Sequence, residues 1–284
     1  MRTKRLFVDG EYGQIHLRLA TPESGTFKSH NRPLFCLHMS PKSGRIFARF
    51  MEAFATDRQV VAPDYPGYGE SDSPPATPAV TIADYARSVW QVADALSCSA
   101  IDLLGYHTGS LVAAEMARQR PDQIGRIVMI GAPVFLPAEL EAVKTHFEPV
   151  PLDEAGTRFI NMWQSVLKHA SKGGTLEQKA ESFAENLRGG ENYEWGHRAA
   201  FAYAPQFPAM VKSLPQRIDV INPDDDLYQA TLRITDVLQR GEVHARPQWG
   251  HGFLDFDTEA AVSDIRQLLE ITPPPTVGMC PSGF

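Results

Sequence analysis

Short apolar runs alternate with longer segments of helical periodicity in the first half of the chain. Runs bounded by glycine, proline or polar residues predict strands, whereas apolar residues three and four positions apart predict helices. The predicted strands are residues 5–8, 14–20, 34–37, 59–63, 101–104 and 124–130. The predicted helices between them are residues 45–54, 82–97 and 110–119. This alternation predicts an α/β fold with a largely parallel sheet covered by helices on both faces.

The rhythm changes after residue 133, where long segments of mixed polarity replace the short apolar runs. We interpret this part as a helical cap, or lid, inserted into the sheet domain. The alternation resumes with predicted strands at 218–222 and 242–246 and predicted helices at 227–238 and 258–269. The predicted organisation is a core of residues 1–133 and 218–270, a cap of residues 134–217 and an extended tail of residues 271–284.

Composition is that of an ordinary globular protein. Of the 284 residues, 43% are hydrophobic and 21% are charged, and the formal net charge is −7. The negative charge argues against nucleic acid or an anionic membrane as a partner, and no apolar run is long enough to span a bilayer. The N-terminus lacks the apolar region of a secretory signal, and Cys36, Cys98 and Cys280 show no metal-binding spacing. We therefore expect a cytoplasmic protein with reduced thiols.

A strand-to-helix turn at residues 105–109 (GYHTG) has the form of a nucleophile elbow, in which two glycines flank a central residue. The central residue here is His107, where the motif has a serine. Gly105 and Gly109 allow the strand and the helix to approach closely, and histidine is enriched among non-glycine residues at positive φ. We predict that His107 lies at the apex of this turn, at the carboxyl edge of the sheet. An ordinary loop histidine is the alternative.

Two further groups follow late strands in the order that the elbow motif requires. Carboxylates at residues 224–226 (DDD) come directly after the predicted strand 218–222, and His251 lies between glycines after the last predicted strand. A base and an acid that orients it are what nucleophilic hydrolysis needs beside the elbow. Some of the three aspartates are expected to cap the next helix, and a passive loop residue is the alternative for His251.

Five segments together resemble the α/β-hydrolase superfamily, in particular its epoxide-hydrolase-like and C–C-hydrolase-like branch. They are residues 38–41 (HMSP), 64–72 (DYPGYGESD), 105–109 (GYHTG), 222–225 (NPDD) and 250–251 (GH). The resemblance covers nearly the whole chain. It implies an α/β-hydrolase fold with a mostly parallel eight-stranded sheet, helices on both faces and an inserted helical lid.

The same resemblance implies roles for individual residues. Asp225 would be the acid and His251 the base, so that this pair acts as general base. The backbone N–H groups of Ser40 and Thr108 would form the oxyanion hole. The chain departs from the family pattern at two positions, because His107 replaces the nucleophile and Met39 replaces a glycine in the oxyanion segment.

Three roles for His107 are open. It would be a nucleophile that forms an acyl-imidazole, or an acid or electrostatic partner while His251 and Asp225 activate water. We favour the second role. In the third, His38, His107 and His251 would bind zinc, but their spacing is irregular. The sequence predicts no cofactor and no metal.

The predicted catalytic set is His107, Asp225 and His251, and the predicted substrate-binding residues are His38, Met39, Trp163 and Trp195. We expect a hydrolase of small, partly apolar ester, lactone or C–C-bonded diketone substrates. The alternatives are a lyase, isomerase or cofactor-free oxygenase of the same fold, and a catalytically inactive ligand-binding member. The expected partner is a small-molecule substrate, and a homodimer is left open.

Overall fold

The computed structural model describes residues 3–23, 31–148, 150–170 and 174–270. The predicted tail at residues 271–284 lies outside these ranges. The described strands are β1 (Lys4–Gly10), β2 (Gly13–Ala20), β3 (Leu34–Leu37), β4 (Val60–Pro63), β5 (Ile101–Tyr106), β6 (Ile124–Ile130), β7 (Arg217–Pro223) and β8 (Val243–Arg246). The described α-helices are α1 (Ala48–Phe54), α2 (Ile82–Ala95), α3 (Thr108–Gln119), α4 (Pro137–His146), α5 (Thr157–His169), α6 (Leu176–Leu187), α7 (Trp195–Tyr203), α8 (Phe207–Ser213), α9 (Tyr228–Leu232), α10 (Phe253–Phe256) and α11 (Thr258–Glu270).

These strands form a single eight-stranded sheet in the order β1-β2-β4-β3-β5-β6-β7-β8. The hairpin of β1 and β2 is antiparallel, β2 also pairs antiparallel with β4, and the remaining neighbours pair in parallel. Because parallel strands end at the same edge, the loops after β3, β5, β6, β7 and β8 meet there. The predicted fold class, an eight-stranded and mostly parallel sheet with helices, is confirmed.

Apolar side chains cover both faces of the sheet. Successive residues of a strand point to opposite faces, and β5 shows this directly. Leu103 packs in one cluster with Val89 of α2, whereas Leu104 packs in the other with Phe50 of α1 and Ile265 of α11. The elbow strand is therefore fixed from both sides, and the turn that follows it has a rigid base.

Five helices, α4 to α8, lie between β6 and β7, inside the predicted cap. The boundaries of the cap at 134 and 217 stay a prediction. The later part of this insertion packs on the sheet domain, since Phe207 at the start of α8 is buried in the same cluster as α2 and α3. The earlier part is more exposed, and Phe159 and Ile160 of α5 are open to solvent. Among the described helices, none is long and apolar enough to cross a membrane.

The predicted helix at 227–238 was too long. The structure has α9, which ends at Leu232, followed by a 3-10 turn over Arg233–Asp236. The hydroxyl of Thr235 donates a hydrogen bond to the carbonyl of Leu232 at 2.9 Å. Such local side-chain bonds compete with the regular helix pattern, and apolar spacing does not report them.

The loop after β4, which carries the DYPGYGESD segment, is organised by the carboxylate of Asp64. Its Oδ1 accepts a hydrogen bond from the N–H of Gly44 at 2.8 Å. Its Oδ2 accepts from Nδ1 of His16 at 2.8 Å and from the N–H of Glu70 at 3.0 Å. This aspartate therefore ties the loop to β2 and to the segment before α1, and it has a structural role.

Candidate active site

His107 lies at the apex of the turn between β5 and α3, with φ of 49° and ψ of −107°. Its N–H donates to the carbonyl of Ile130 at 2.8 Å, which fixes the turn against β6. Both flanking glycines are required by packing. A Cβ on Gly105 would lie 2.4 Å from the carbonyl oxygen of Gly109, and a Cβ on Gly109 would lie 2.0 Å from that of Leu37. The turn therefore has the tight strand-to-helix geometry that its sequence predicts.

Asp225 is the carboxylate that holds the ring of His107. The distance from Nε2 of His107 to Oδ2 of Asp225 is 2.9 Å, and the carboxylate is fully buried. Burial disfavours the charged imidazolium, but the attraction and hydrogen bond of Asp225 and the charge of Asp226 outweigh it. They raise the pKa of His107 above its usual value. Because a carboxylate only accepts, Nε2 of His107 carries a proton.

His251 is held by Asp226, and this corrects the predicted pairing of His251 with Asp225. Nε2 of His251 lies 2.7 Å from Oδ1 of Asp226. His107 forms the hydrogen bond to Asp225 instead, because its ring extends from the apex of the turn to the loop after β7. Burial raises the pKa of Asp226, but the hydrogen bond from His251 and the charges of His107, His251 and His169 outweigh it and lower the pKa well below its usual range.

The two imidazoles meet above the carboxyl edge of the sheet. The ring centroids of His107 and His251 are 5.2 Å apart, and the rings are nearly perpendicular. A third imidazole, His169 at the end of α5, lies 5.9 Å from His251. The backbone of Ala170 pairs with that of His251, which ties the cap to this loop. His169 was not predicted as a site residue, since a histidine in the last turn of a helix is common and carries no motif.

The two residues predicted to form the oxyanion hole are in contact. The N–H of Ser40 donates to the hydroxyl of Thr108 at 3.4 Å, and both residues are buried while lining the same cavity as His107. The bond is long, so a substrate oxygen would replace the hydroxyl at little cost. Met39 is partly buried and also lines the cavity.

His38 is a structural histidine, not a ligand-binding one. It is completely buried; Nδ1 donates to the carbonyl of Met39 at 3.0 Å, and Nε2 accepts from the N–H of Tyr65 at 3.0 Å. Burial lowers its pKa to about 4, so the ring is neutral. Because both nitrogens are used by the backbone, the zinc set of His38, His107 and His251 considered from the sequence does not form.

A cavity of about 590 Å³ lies between the cap and the carboxyl edge of the sheet. His107, His251 and His169 line it, and so does His197 of α7, which stacks on Phe147 with a centroid distance of 4.0 Å. Burial lowers the pKa of His197 to about 4. Apolar lining is contributed by Met39, Leu111, Phe135, Val143, Phe147 and Phe201.

Two predicted substrate-binding residues lie elsewhere. Trp163 of α5 packs on Phe183 within the cap, with a centroid distance of 5.6 Å. Trp195 packs, partly buried, against the main core. Neither tryptophan is among the residues that line the cavity. Aromatic residues in a cap more often join its packing than its pocket, and the sequence gives no sign of which helix face is inward.

The chain is similar in sequence to known hydrolases. Residues 32–155 match the family model for the alpha/beta hydrolase fold. A 2-hydroxymuconate semialdehyde hydrolase from Pseudomonas sp. (strain CF600) is 26% identical over 251 residues, covering 77% of this chain and 80% of that protein. A serine hydrolase-like protein from Danio rerio is 28% identical over 118 residues, covering 42% of this chain and 36% of that relative's length.

The backbone is similar to that of solved hydrolases. An esterase from Exiguobacterium antarcticum superposes with a TM-score of 0.75 at 15% identity, covering 93% of this chain and 99% of the esterase. At that identity the likeness concerns the fold. The chain has the α/β-hydrolase fold, and the resemblance given by its motifs is confirmed.

Proposed function

We propose that the protein hydrolyses small, partly apolar ester, lactone or C–C-bonded diketone substrates through His107, Asp225 and His251, with Asp226 as a fourth member. The observation that carries this proposal is the meeting of two imidazoles, each held by its own carboxylate, at one cavity wall. Such a pair supplies one proton donor and one proton acceptor, which is the requirement for acid–base hydrolysis.

His107 is assigned the donor role. Its raised pKa favours the imidazolium, and Asp225 holds its Nε2 proton, so an Nδ1 proton would be available to a substrate oxygen. His251 is assigned the base. Asp226 accepts a hydrogen bond from its Nε2 and orients the ring that takes a proton from water. Water then attacks the carbonyl, and no side chain needs to be acylated.

The adjoining groups suit a carbonyl substrate. The N–H of Ser40 donates to the hydroxyl of Thr108 beside the elbow. A substrate oxyanion at this place would accept hydrogen bonds from nearby donors. The apolar wall of the cavity favours a hydrocarbon part on the substrate, and its volume is in the range of small-molecule sites. The similar proteins named above as hydrolases support the same reaction class.

A panel of acyl esters, lactones and vinylogous diketones tests the proposal on wild type, His107→Ala and His251→Ala. We expect at least one class to be hydrolysed and each variant to lose about 100-fold or more in kcat/KM. His146→Ala is the matched control, because His146 also lines the cavity but belongs to neither carboxylate pair. Retention of full activity by His251→Ala would refute the assignment.

Two mass measurements separate the mechanisms. With labelled water, hydrolysis places the label in the product, whereas a lyase or isomerase does not. Intact-mass analysis during turnover finds unmodified protein if water attacks directly, and a mass increase on the peptide with residue 107 if His107 is a nucleophile. Serine-directed organophosphates are expected to leave the protein unlabelled, and labelling of a serine would contradict the proposal.

A further inference from the structure

Two sets of side chains at the carboxyl edge have the composition of metal sites. One potential ligand atom from each of His107, Asp225 and His251 lies within 4.8 Å of the others. The same holds for His169, Asp226 and His251. The sets share His251, so that two carboxylates and three imidazoles from the elbow, the loops after β7 and β8, and the cap surround one region of the cavity.

Imidazole nitrogen and carboxylate oxygen are ligands of Zn²⁺ and of other first-row divalent cations. Three protein ligands with an open side define a catalytic rather than a closed structural site. The set of His107, Asp225 and His251 has three ligands and an open side, because His107 and His251 both line the cavity. The charge also fits, since two adjacent carboxylates carry the two negative charges that a divalent cation balances.

The ligand positions are held by contacts outside the first set. Asp226 accepts the Nε2 proton of His251 at 2.7 Å, which is the carboxylate–histidine arrangement that orients metal ligands. The backbone pairing of Ala170 with His251 places His169 beside the same ring. The side chain of Asp225 is fully buried. A site whose ligands are already placed loses little entropy when the cation binds.

We propose that His107, Asp225 and His251 bind one divalent transition cation, with Asp226 and His169 as supporting groups. The inference goes beyond the proposed function, because the metal-bound state would occupy ring nitrogens that the function assigns to proton transfer, and it departs from the prediction of no metal. His107 would coordinate through a nitrogen without a proton, so the Nε2 proton now given to Asp225 would move to Nδ1 if Nε2 is the ligand. The open side of the cation would face the substrate cavity, where it would bind water or a substrate oxygen.

Titration of the untagged, chelator-treated protein with Zn²⁺ tests the site by calorimetry and by competition with a chromophoric chelator. We expect one equivalent to bind and to raise the melting temperature. His107→Ala, Asp225→Asn and His251→Ala should each weaken binding at least 100-fold, and His169→Ala about 10-fold. His146→Ala is the control, because it removes a cavity histidine that belongs to neither set.

The result that overturns the metal site is the absence of stoichiometric binding, or binding that persists undiminished in His107→Ala and His251→Ala. Failure of the metal-site proposal can be distinguished from failure of the proposed function. Hydrolysis by chelator-treated protein that still depends on His251 supports the function without the metal. Stoichiometric, His107-dependent zinc binding with no hydrolysis of any substrate class, with or without zinc, supports the metal site and refutes the function.

Discussion

Gly131 lies against the imidazole of His107 so closely that no side chain fits between them. A Cβ on Gly131 would be 2.5 Å from Cδ2 and 2.7 Å from Nε2 of the ring. Gly131 follows β6 with φ of 62°, a conformation that favours glycine. The strand beside the elbow therefore ends in a residue that leaves room for a ring where the motif has the smaller serine.

Gly131→Ala is expected to displace His107 and to lower turnover about 100-fold, because a shift of about 1 Å at a reacting group has an effect of that size. Gly156→Ala is the matched control. Its φ is 69°, so the backbone strain is comparable, but a Cβ there would meet only Phe159, at 3.7 Å. Steady-state kinetics and melting temperatures of both variants separate the effect on the ring from general strain. Equal turnover by the two variants would show that the position of the His107 ring does not matter.

Removing the charge of Asp225 should lower the pKa of His107. The carboxylate opposes burial, which by itself disfavours the imidazolium, so in Asp225→Asn only the charge of Asp226 still opposes the effect of burial. Asp226→Asn is expected to have a smaller effect, since Asp226 acts on His107 through charge without a hydrogen bond. Histidine titration by NMR in chelator-treated protein measures both. An unchanged titration of His107 in Asp225→Asn would contradict the pairing on which its proposed donor role depends.

Much of the fold follows from local pattern. Apolar runs of β-type residues predicted the strands, and the predicted helix at 258–269 matches α11 to within one residue. The elbow was predictable for the same reason, because two glycines are needed where backbone atoms approach within about 2 Å of a missing Cβ. The short helices α8 and α10 were not predicted, since elements of so few residues carry little periodicity.

The site was predictable in its members but not in its pairings. Asp225 and Asp226 are adjacent in the sequence, and only the three-dimensional direction of each side chain decides that the first meets His107 and the second meets His251. His38 was predicted to bind substrate, yet its two ring nitrogens bond the backbone of Met39 and Tyr65. The hydrogen-bond partners of a buried ring depend on tertiary packing, so they cannot be predicted from residue spacing.

His38 should make the protein less stable as the pH falls. Its folded pKa is about 4, and an unfolded histidine has a pKa near 6.5. Above pH 6.5 the ring is neutral in both states; between 6.5 and 4 only the unfolded chain binds the proton, so the free energy of unfolding decreases. The contribution lost by pH 5 is about 2 kcal/mol.

His38→Gln tests this, because an amide keeps one donor and one acceptor but does not titrate. Urea unfolding at pH 7.5 and pH 5 gives the change in unfolding free energy for each protein. That change should be about 2 kcal/mol smaller in His38→Gln than in wild type, and a residual slope is expected from His197, whose pKa is also about 4. The same pH dependence in both proteins would mean that His38 is protonated in the folded state.

Tyr68 joins the loop after β4 to the cap, and its hydroxyl should therefore contribute to both stability and turnover. Oη accepts a hydrogen bond from the N–H of Gly196 at 2.6 Å and donates to the carbonyl of Asn192 at 2.9 Å. Tyr68→Phe leaves these two backbone groups without that partner, at a cost of about 1–3 kcal/mol. Because α7 carries His197 into the cavity, we also expect KM to rise more than kcat falls.

Tyr65→Phe is the control for Tyr68→Phe, since the buried hydroxyl of Tyr65 has no hydrogen-bond partner within the described residues. Loss of that hydroxyl leaves no backbone group unpaired and removes a desolvated polar atom, so stability should be unchanged or higher. Chemical unfolding of the two variants gives the comparison. If Tyr65→Phe is as destabilising as Tyr68→Phe, the cost comes from repacking the tyrosine cluster, and the link between loop and cap does not hold the cap in place.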